Sequence, residues 1–487
     1  MSRKKELQKQ NLKLADAELR EFKKYKWQAF FAPVDPASTA LFRILFGAIM
    51  CWEMIRYFRN DWISRYWIEP RMNFTYWPFD FVQPLQGNGM FVLCAILGIL
   101  AFFITIGFLY RIATVLFFLG FSYTYLLEQA RYLNHFYLVI LISFILIFIP
   151  ANRIASVDVR IFKNNKITIP AWSLWLLRFV IGLPYFFGGI AKINTDWLMG
   201  EPMRSWLFYK TDFPVIGHFF VEDWMIYLIS YSGLLIDLLI IPFLLIKRTR
   251  KWAFIIGIVF HLFNARLFTI GIFPWFMIAA TTIYFHPSWP RKFFNWIIPE
   301  KKRIEAVSIN QWNTNKTLTK QEKTILIGLG IGTLIQIILP FRHILLPGNV
   351  HWTEQGHKYS WHMKLRSKKG TAVFIVKDKS TGEEMVLDNR DFLTSWQERK
   401  MAGWPNLIWQ FAHSIKKEFQ EHGKDVAVYA DVKASLNGRE YQQLIDPTID
   451  LASENTSMFT VPRWIIPLKT PLKKGKLNET SDFDGEQ

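Results

Sequence analysis

The sequence predicts a multi-pass α-helical membrane bundle of eight or nine spans, followed by a C-terminal extramembrane α+β domain. Three observations carry this. Half of the 487 residues are apolar and 17% are aromatic, a composition rich for a water-soluble chain. The apolar residues cluster into runs of about 18 with few charges, each long enough to cross a hydrocarbon core of about 30 Å. After residue 342 this pattern gives way to short alternating stretches and turn signals.

The expected organisation is a charged N-terminal segment over 1–33, a helical membrane domain over 34–342, an extracytoplasmic α+β domain over 343–470 and a polar tail over 471–487. The opening segment has no apolar core ahead of a small-residue cleavage site, so it does not read as a signal peptide. Apolar spans are expected near 40–58, 90–109, 112–129, 135–150, 172–191, 224–246, 252–269, 270–285 and 324–342. The pair flanking Gly271 is short, so one member is a candidate re-entrant segment. With nine spans, the basic clusters at the N-terminus, at Arg153 to Lys166, at Lys247 to Lys251 and at Arg291 to Lys323 fall on one side, which places that side in the cytoplasm. The basic stretch Arg59 to Arg71 lies on the other side, among interfacial aromatics such as Trp62 and Trp77.

Beyond the bundle, Val373 to Val376 and Glu384 to Leu387 flank Ser380-Thr-Gly382 as a hairpin. Trp404-Pro405 opens a helix running to about His422. Val426 to Ala434 alternates with the period of a half-buried strand.

A net charge of +19 could indicate nucleic acid, but Lys and Arg are dispersed over short loops, a pattern that fits membrane orientation and anionic lipid instead. The only cysteines, Cys51 and Cys94, lie in apolar runs. Neither a disulfide framework nor a Cys/His metal spacing is present, so no metal is expected.

Costly polar residues converge within this topology. Lys192 ends the fifth span in a strongly apolar setting, where desolvation favours the free amine and hence a base, with a snorkelling surface lysine as the plain alternative. Asn134 and His135 open the fourth span, His343 ends the last, and His261 and Asn264 lie within the seventh. An interfacial role for His135 and His343, and interhelical hydrogen bonding for His261 and Asn264, are the competing readings. Asp237 sits deep in Leu234-Leu-Ile-Asp237 and requires a partner, for which Arg43 of the first span is the expectation.

Several segments, in order, resemble vitamin K-dependent gamma-glutamyl carboxylases, whose membrane part is of the HTTM type. They are Asp35 to Gly47, Asn134-His135 with Tyr137-Leu138, Lys192 to Trp197, His261 and Asn264 with Leu267 to Phe273, Pro287 to Lys292, Tyr359-Ser-Trp361, and Asp446-Pro447 with Asp450. The resemblance spans Asp35 to about Leu468. It implies that a lysine base, matched by Lys192, deprotonates reduced vitamin K. The quinol then adds O2 and becomes a base strong enough to take a γ-proton from glutamate, and CO2 traps the carbanion. The products are γ-carboxyglutamate and vitamin K epoxide, without metal, biotin or ATP. It further implies that Asn134 and His135 lie near the quinone and base, and that His261 and His343 belong to the active-site region.

A water-excluding aromatic cavity suits such chemistry. The glutamate of a peptide or protein substrate then arrives from the outer domain, with Arg366, Lys368 and Arg439 as candidates to hold its carboxylate and His357 and Tyr359 as further substrate-side residues. Where animal carboxylases carry a second lysine before the base this chain has Ala191, and where they have a tyrosine it has His357. It lacks their disulfide and their long C-terminal portion. The expectation is therefore a quinol-dependent γ-glutamyl carboxylase of a bacterial inner membrane. A quinol epoxidase without protein carboxylation, a non-enzymatic quinone or lipid binder and a small-solute transporter are the alternatives.

Overall fold

The computed structural model describes residues 27–163, 167–268, 270–297, 317–457 and 459–472. The expected N-terminal segment up to residue 26, the tail from residue 473, and parts of the basic stretches at 164–166 and 298–316 lie outside the described residues.

Each expected apolar run falls on a helix: α1 (Ala37–Arg59), α2 (Gly89–Ile106), α3 (Tyr110–Leu126), α4 (Asn134–Phe148), α5 (Ala171–Ala191), α6 (Asp223–Leu245), α7 (Arg250–Phe268), α8 (Phe273–Thr281) and α9 (Lys320–Ile338). Six of these, α1, α2, α5, α6, α7 and α9 with its 3₁₀ extension to Leu345, are long and apolar enough to cross a membrane. The helix ends are set by local chemistry. Asp35 accepts the amide of Ala37 at the start of α1 and pairs with Arg291 at 2.8 Å. Thr319 and Glu322 close a capping box on α9. Gly107 ends α2 with φ +66°, and a Cβ there would meet the Arg43 guanidinium at 2.8 Å.

Arg43 overturns one expectation. Its guanidinium donates to the carbonyls of Ile104 and Thr105 at 2.6 Å, Ala155 at 2.5 Å and Ala151 at 3.2 Å. It therefore satisfies the orphan carbonyls at the end of α2 and in the loop after α4. Asp237 is not its partner, because carbonyl oxygens within reach already use its donors.

The C-terminal region folds as expected into strand and helix. Strand β1 (Lys368–Asp378) pairs with β2 (Glu384–Leu387) and with β3 (Val426–Leu436), and β3 pairs with β4 (Gln442–Gln443), all antiparallel, in the order β2-β1-β3-β4. Phe374 faces Ala430 and Val376 faces Val428 across the ladder. One face of this sheet is covered by α10 (Pro405–Glu421), whose Leu407, Ile408, Phe411 and Ile415 are buried at helical spacing. The region sits on alternate connections of the bundle. Gln397 donates to Glu128, Gln410 to the carbonyl of Thr75, Asn134 to the carbonyl of His362, and Arg439 to Asp196. Loops 60–88, 127–133 and 192–222 thus meet one face of the C-terminal region.

Candidate active site

Lys192 caps the C-terminus of α5, which runs through a glycine pair, Gly188-Gly189. A Cβ at Gly189 would lie 3.0 Å from the backbone nitrogen of Leu238, so only glycine lets α6 approach this closely. That approach brings Oδ2 of Asp237 to 2.6 Å from Nζ of Lys192, which also donates to the carbonyl of Gly188 at 3.3 Å. Both side chains are buried, at 7% and 6% exposure. The apolar setting expected around the amine thus contains one carboxylate, at the length of a charge-assisted hydrogen bond.

The pair lines a cavity of about 570 Å³ between α5, α6 and α7. Its wall is overwhelmingly apolar, with Ile229, Ile236, Val259, Phe260 and Phe273 among its members, and its polar groups are few: Tyr185, Lys192, Ser232, Asp237, His261, Asn264 and Lys364. Tyr185 Oη and His261 Nε2 lie 2.5 Å apart, so His261 makes the expected interhelical hydrogen bond while also facing the cavity.

His135 is not on this wall. Its ring packs on Phe136 at 4.6 Å and on Phe273 at 5.7 Å, and Phe273 itself lines the cavity. Asn134 braces the C-terminal region, accepting from Tyr132 and donating to the carbonyl of His362.

A second polar centre lies in the C-terminal region. The ring of His362 packs against His343 at 4.7 Å, His351 at 5.2 Å and His357 at 5.2 Å. Arg366 donates to His357 and pairs with Glu354 at 2.7 Å; Lys368 donates to the carbonyl of Trp352 at 2.5 Å. Burial, reinforced by Arg366, pushes His351 down to about 3 and His357 well below the usual histidine range. Burial also lowers Lys358 and Lys368 to about 7 and raises Glu354. Tyr359 packs its ring edge-to-face with Tyr132 and Tyr137 and donates its amide to Tyr132 Oη at 2.6 Å.

The three cations expected to be open to a substrate carboxylate are engaged within the protein. Arg439 grips Asp196 through two contacts of 2.7 Å. Burial alone would raise Asp196, but the hydrogen bonds from Arg439 and Asn437 outweigh it and hold the carboxyl below its usual value. Arg366 and Lys368 face Glu354. None of the three is a solvated surface charge: the side chains are 12%, 2% and 8% exposed for Arg366, Lys368 and Arg439.

The profile of the HTTM domain matches residues 31–289, and that of the vitamin K-dependent gamma-carboxylase lumenal domain matches residues 321–471. The chain belongs to the vitamin K-dependent gamma-carboxylase family. No solved structure matches it.

This carboxylase family implies reduced vitamin K as cosubstrate, and the cavity fits it. Its volume falls in the range of about 300–1,000 Å³ typical of small-molecule sites, and a small polar cluster on an apolar wall suits a lipid-soluble quinol. A metal is a poorer match. One ring nitrogen from each of His351, His357 and His362 lies within 4.8 Å of the others. A ligating imidazole normally donates its other N–H to a carboxylate or carbonyl, whereas His357 receives Arg366 there.

Sequence reasoning missed Tyr185, His351, Glu354, His362 and Lys364. Tyr185 was within reach, because it precedes Lys192 by two helical turns and so shares its face. The histidines show no regular spacing, and only the fold assembles them.

Proposed function

We propose that the protein is a reduced-vitamin K-dependent γ-glutamyl carboxylase in which the Lys192–Asp237 pair is the proton acceptor. The observation that carries this reading is the 2.6 Å contact between the two buried side chains on the wall of a half-open apolar cavity. A lone lysine in water is protonated near pH 7 and takes no further proton. A lysine beside a buried carboxylate has somewhere to pass one.

Reduced vitamin K, with O2, supplies a base strong enough to remove a carbon-bound proton. Lys192 contributes by accepting the quinol hydroxyl proton at Nζ, while one of its own protons shifts to Oδ2 of Asp237. The net-neutral pair ends as an ammonium beside a carboxylic acid, balanced by the anion left in the cavity. Tyr185 and His261 offer a hydrogen-bonding site for an oxygen on the same wall, and His261 acts there to orient rather than to exchange protons. The aromatic lining excludes water that would quench a strong base. Asn134, His343, His357 and Tyr359 act from outside the cavity, by positioning the C-terminal region over it, and His135 acts through Phe273, a cavity-lining ring on which it packs.

The basic connection Lys247 to Lys251 supports a cytoplasmic side opposite the C-terminal region, which we place outside a bacterial inner membrane. There it meets a glutamyl peptide or protein.

Purified protein incubated with reduced vitamin K, O2, labelled bicarbonate and a glutamyl peptide is expected to yield both epoxide and fixed label. Epoxide without label identifies an uncoupled epoxidase. Neither product, with quinol binding retained, identifies a non-enzymatic binder and rejects the proposal.

A further inference from the structure

We infer that Lys364 receives the side-chain carboxylate of the substrate glutamate, inside the cavity that Lys192 shares. This rests on the proposed carboxylase reading and adds a residue that the sequence pattern did not single out.

Charge is the first reason. Within the cavity Lys192 and Asp237 balance each other. Lys364 adds one positive charge on the same wall. Its ammonium lies 5.4 Å from the ring centres of both Trp206 and Phe268, and no carboxylate pairs with it among the described residues. Two aromatic faces hold a cation in place without neutralising it. Lys364 lines the cavity and is itself exposed, so this unpaired cation is accessible to an anionic group entering from outside. By contrast, Arg366, Lys368 and Arg439 already face Glu354 or Asp196.

The backbone gives a second, independent reason. Tyr359, Trp361 and Lys364 have φ of +63°, +58° and +49°, a left-handed conformation that side-chain-bearing residues rarely adopt. Such strain persists only where packing over-determines it, and it clusters at functional sites. Here the packing is clear: Trp361 is fully buried, and Leu365 is 2% exposed in a core with Trp197, Leu207 and Phe268. These anchors thread Met363 and Lys364 from the C-terminal region into the cavity wall.

The chemistry fits the position. Breaking the γ-C–H bond sends the proton to the base formed from quinol and O2. The electron pair left on Cγ delocalises into the adjacent carboxylate, which gains a second negative charge until a new C–C bond forms to CO2. An ammonium fixed at that carboxylate stabilises charge that develops only as the proton leaves.

The test compares wild type, Lys364→Met and Lys364→Arg with a glutamyl peptide, reduced vitamin K, O2 and labelled bicarbonate. Lys364→Met is expected to raise the peptide KM about tenfold or more, the size of one lost charge-assisted contact, and to lower the ratio of label fixed to epoxide formed. Lys364→Arg is expected to recover much of both, which separates a lost charge from a misfolded chain. An unchanged peptide KM overturns the inference. So does a parallel fall of epoxide and label at constant ratio, which would make Lys364 a quinol contact. A wild type that forms no epoxide instead strikes the underlying reading.

Discussion

Arg439, just past the end of β3, holds Asp196 through two 2.7 Å hydrogen bonds, and Asp196 lies four residues beyond Lys192. Asn437 adds a third bond to the same carboxylate at 2.7 Å. The C-terminal region therefore fixes the turn that carries the proposed base. Removing one partner of a buried pair leaves a charge uncompensated, at about 3–5 kcal/mol. Arg439→Met should lower thermal stability and carboxylation together although its side chain does not line the cavity. In a double-mutant cycle with Asp196→Leu, the combined loss should be smaller than the sum of the two.

Asp237→Asn keeps the shape of the cavity wall but removes the second proton site. Epoxide formation should fall by about a hundredfold or more, and Lys192→Ala/Asp237→Asn should be no worse than the weaker single variant, as for residues acting as a unit. Additive losses measured in the same assay would separate the two side chains into independent roles.

Arg43 serves the fold rather than the chemistry. Arg43→Met strands the carbonyls of Ile104, Thr105, Ala151 and Ala155 in a buried site, and each lost charged hydrogen bond is worth about 1.5–3 kcal/mol. The unfolding temperature in detergent should drop by several degrees. Epoxide formed per folded molecule should hold near the wild-type value.

The histidine centre predicts acid lability. His351 is held neutral by burial, with Arg366 next in effect, at about 3 in the folded state against about 6.5 when unfolded. Above the unfolded value both states are neutral and nothing is lost. As pH falls from 6.5 toward 3 only the unfolded chain takes up the proton, so stability declines across that window. His357 and His362, also lowered by burial, act in the same direction. Thermal melts between pH 7 and pH 4 should show the decline, and His351→Gln should flatten part of it.

The helices and strands were readable because their signals are local. Each apolar run from Ala37 to Ile338 has a helix, and the alternation Val426, Val428, Ala430, Val432 became the buried face of β3. Lys192 was readable because a charge in an apolar run is costly anywhere. Its partner was not, because Asp237 can reach either Arg43 or Lys192 depending on which helices touch, and that is settled by Gly189 and by the carbonyls that claim Arg43. The partners of the carboxylate-holding candidates were hidden for the same reason: Arg366, Lys368 and Arg439 look free until the fold brings Glu354 and Asp196 to them. Lys364 carries no sequence signal at all, since its meaning comes from the rings of Trp206 and Phe268 and the void it faces.

The most direct measurement is epoxide formation from reduced vitamin K and O2 by wild type and Lys192→Ala, with quinol binding measured in parallel. The account predicts turnover by the wild type and a loss of about a thousandfold or more in Lys192→Ala, with quinol still bound. Equal rates in the two proteins would contradict it, and would leave the Lys192–Asp237 pair a packing device of the helix bundle.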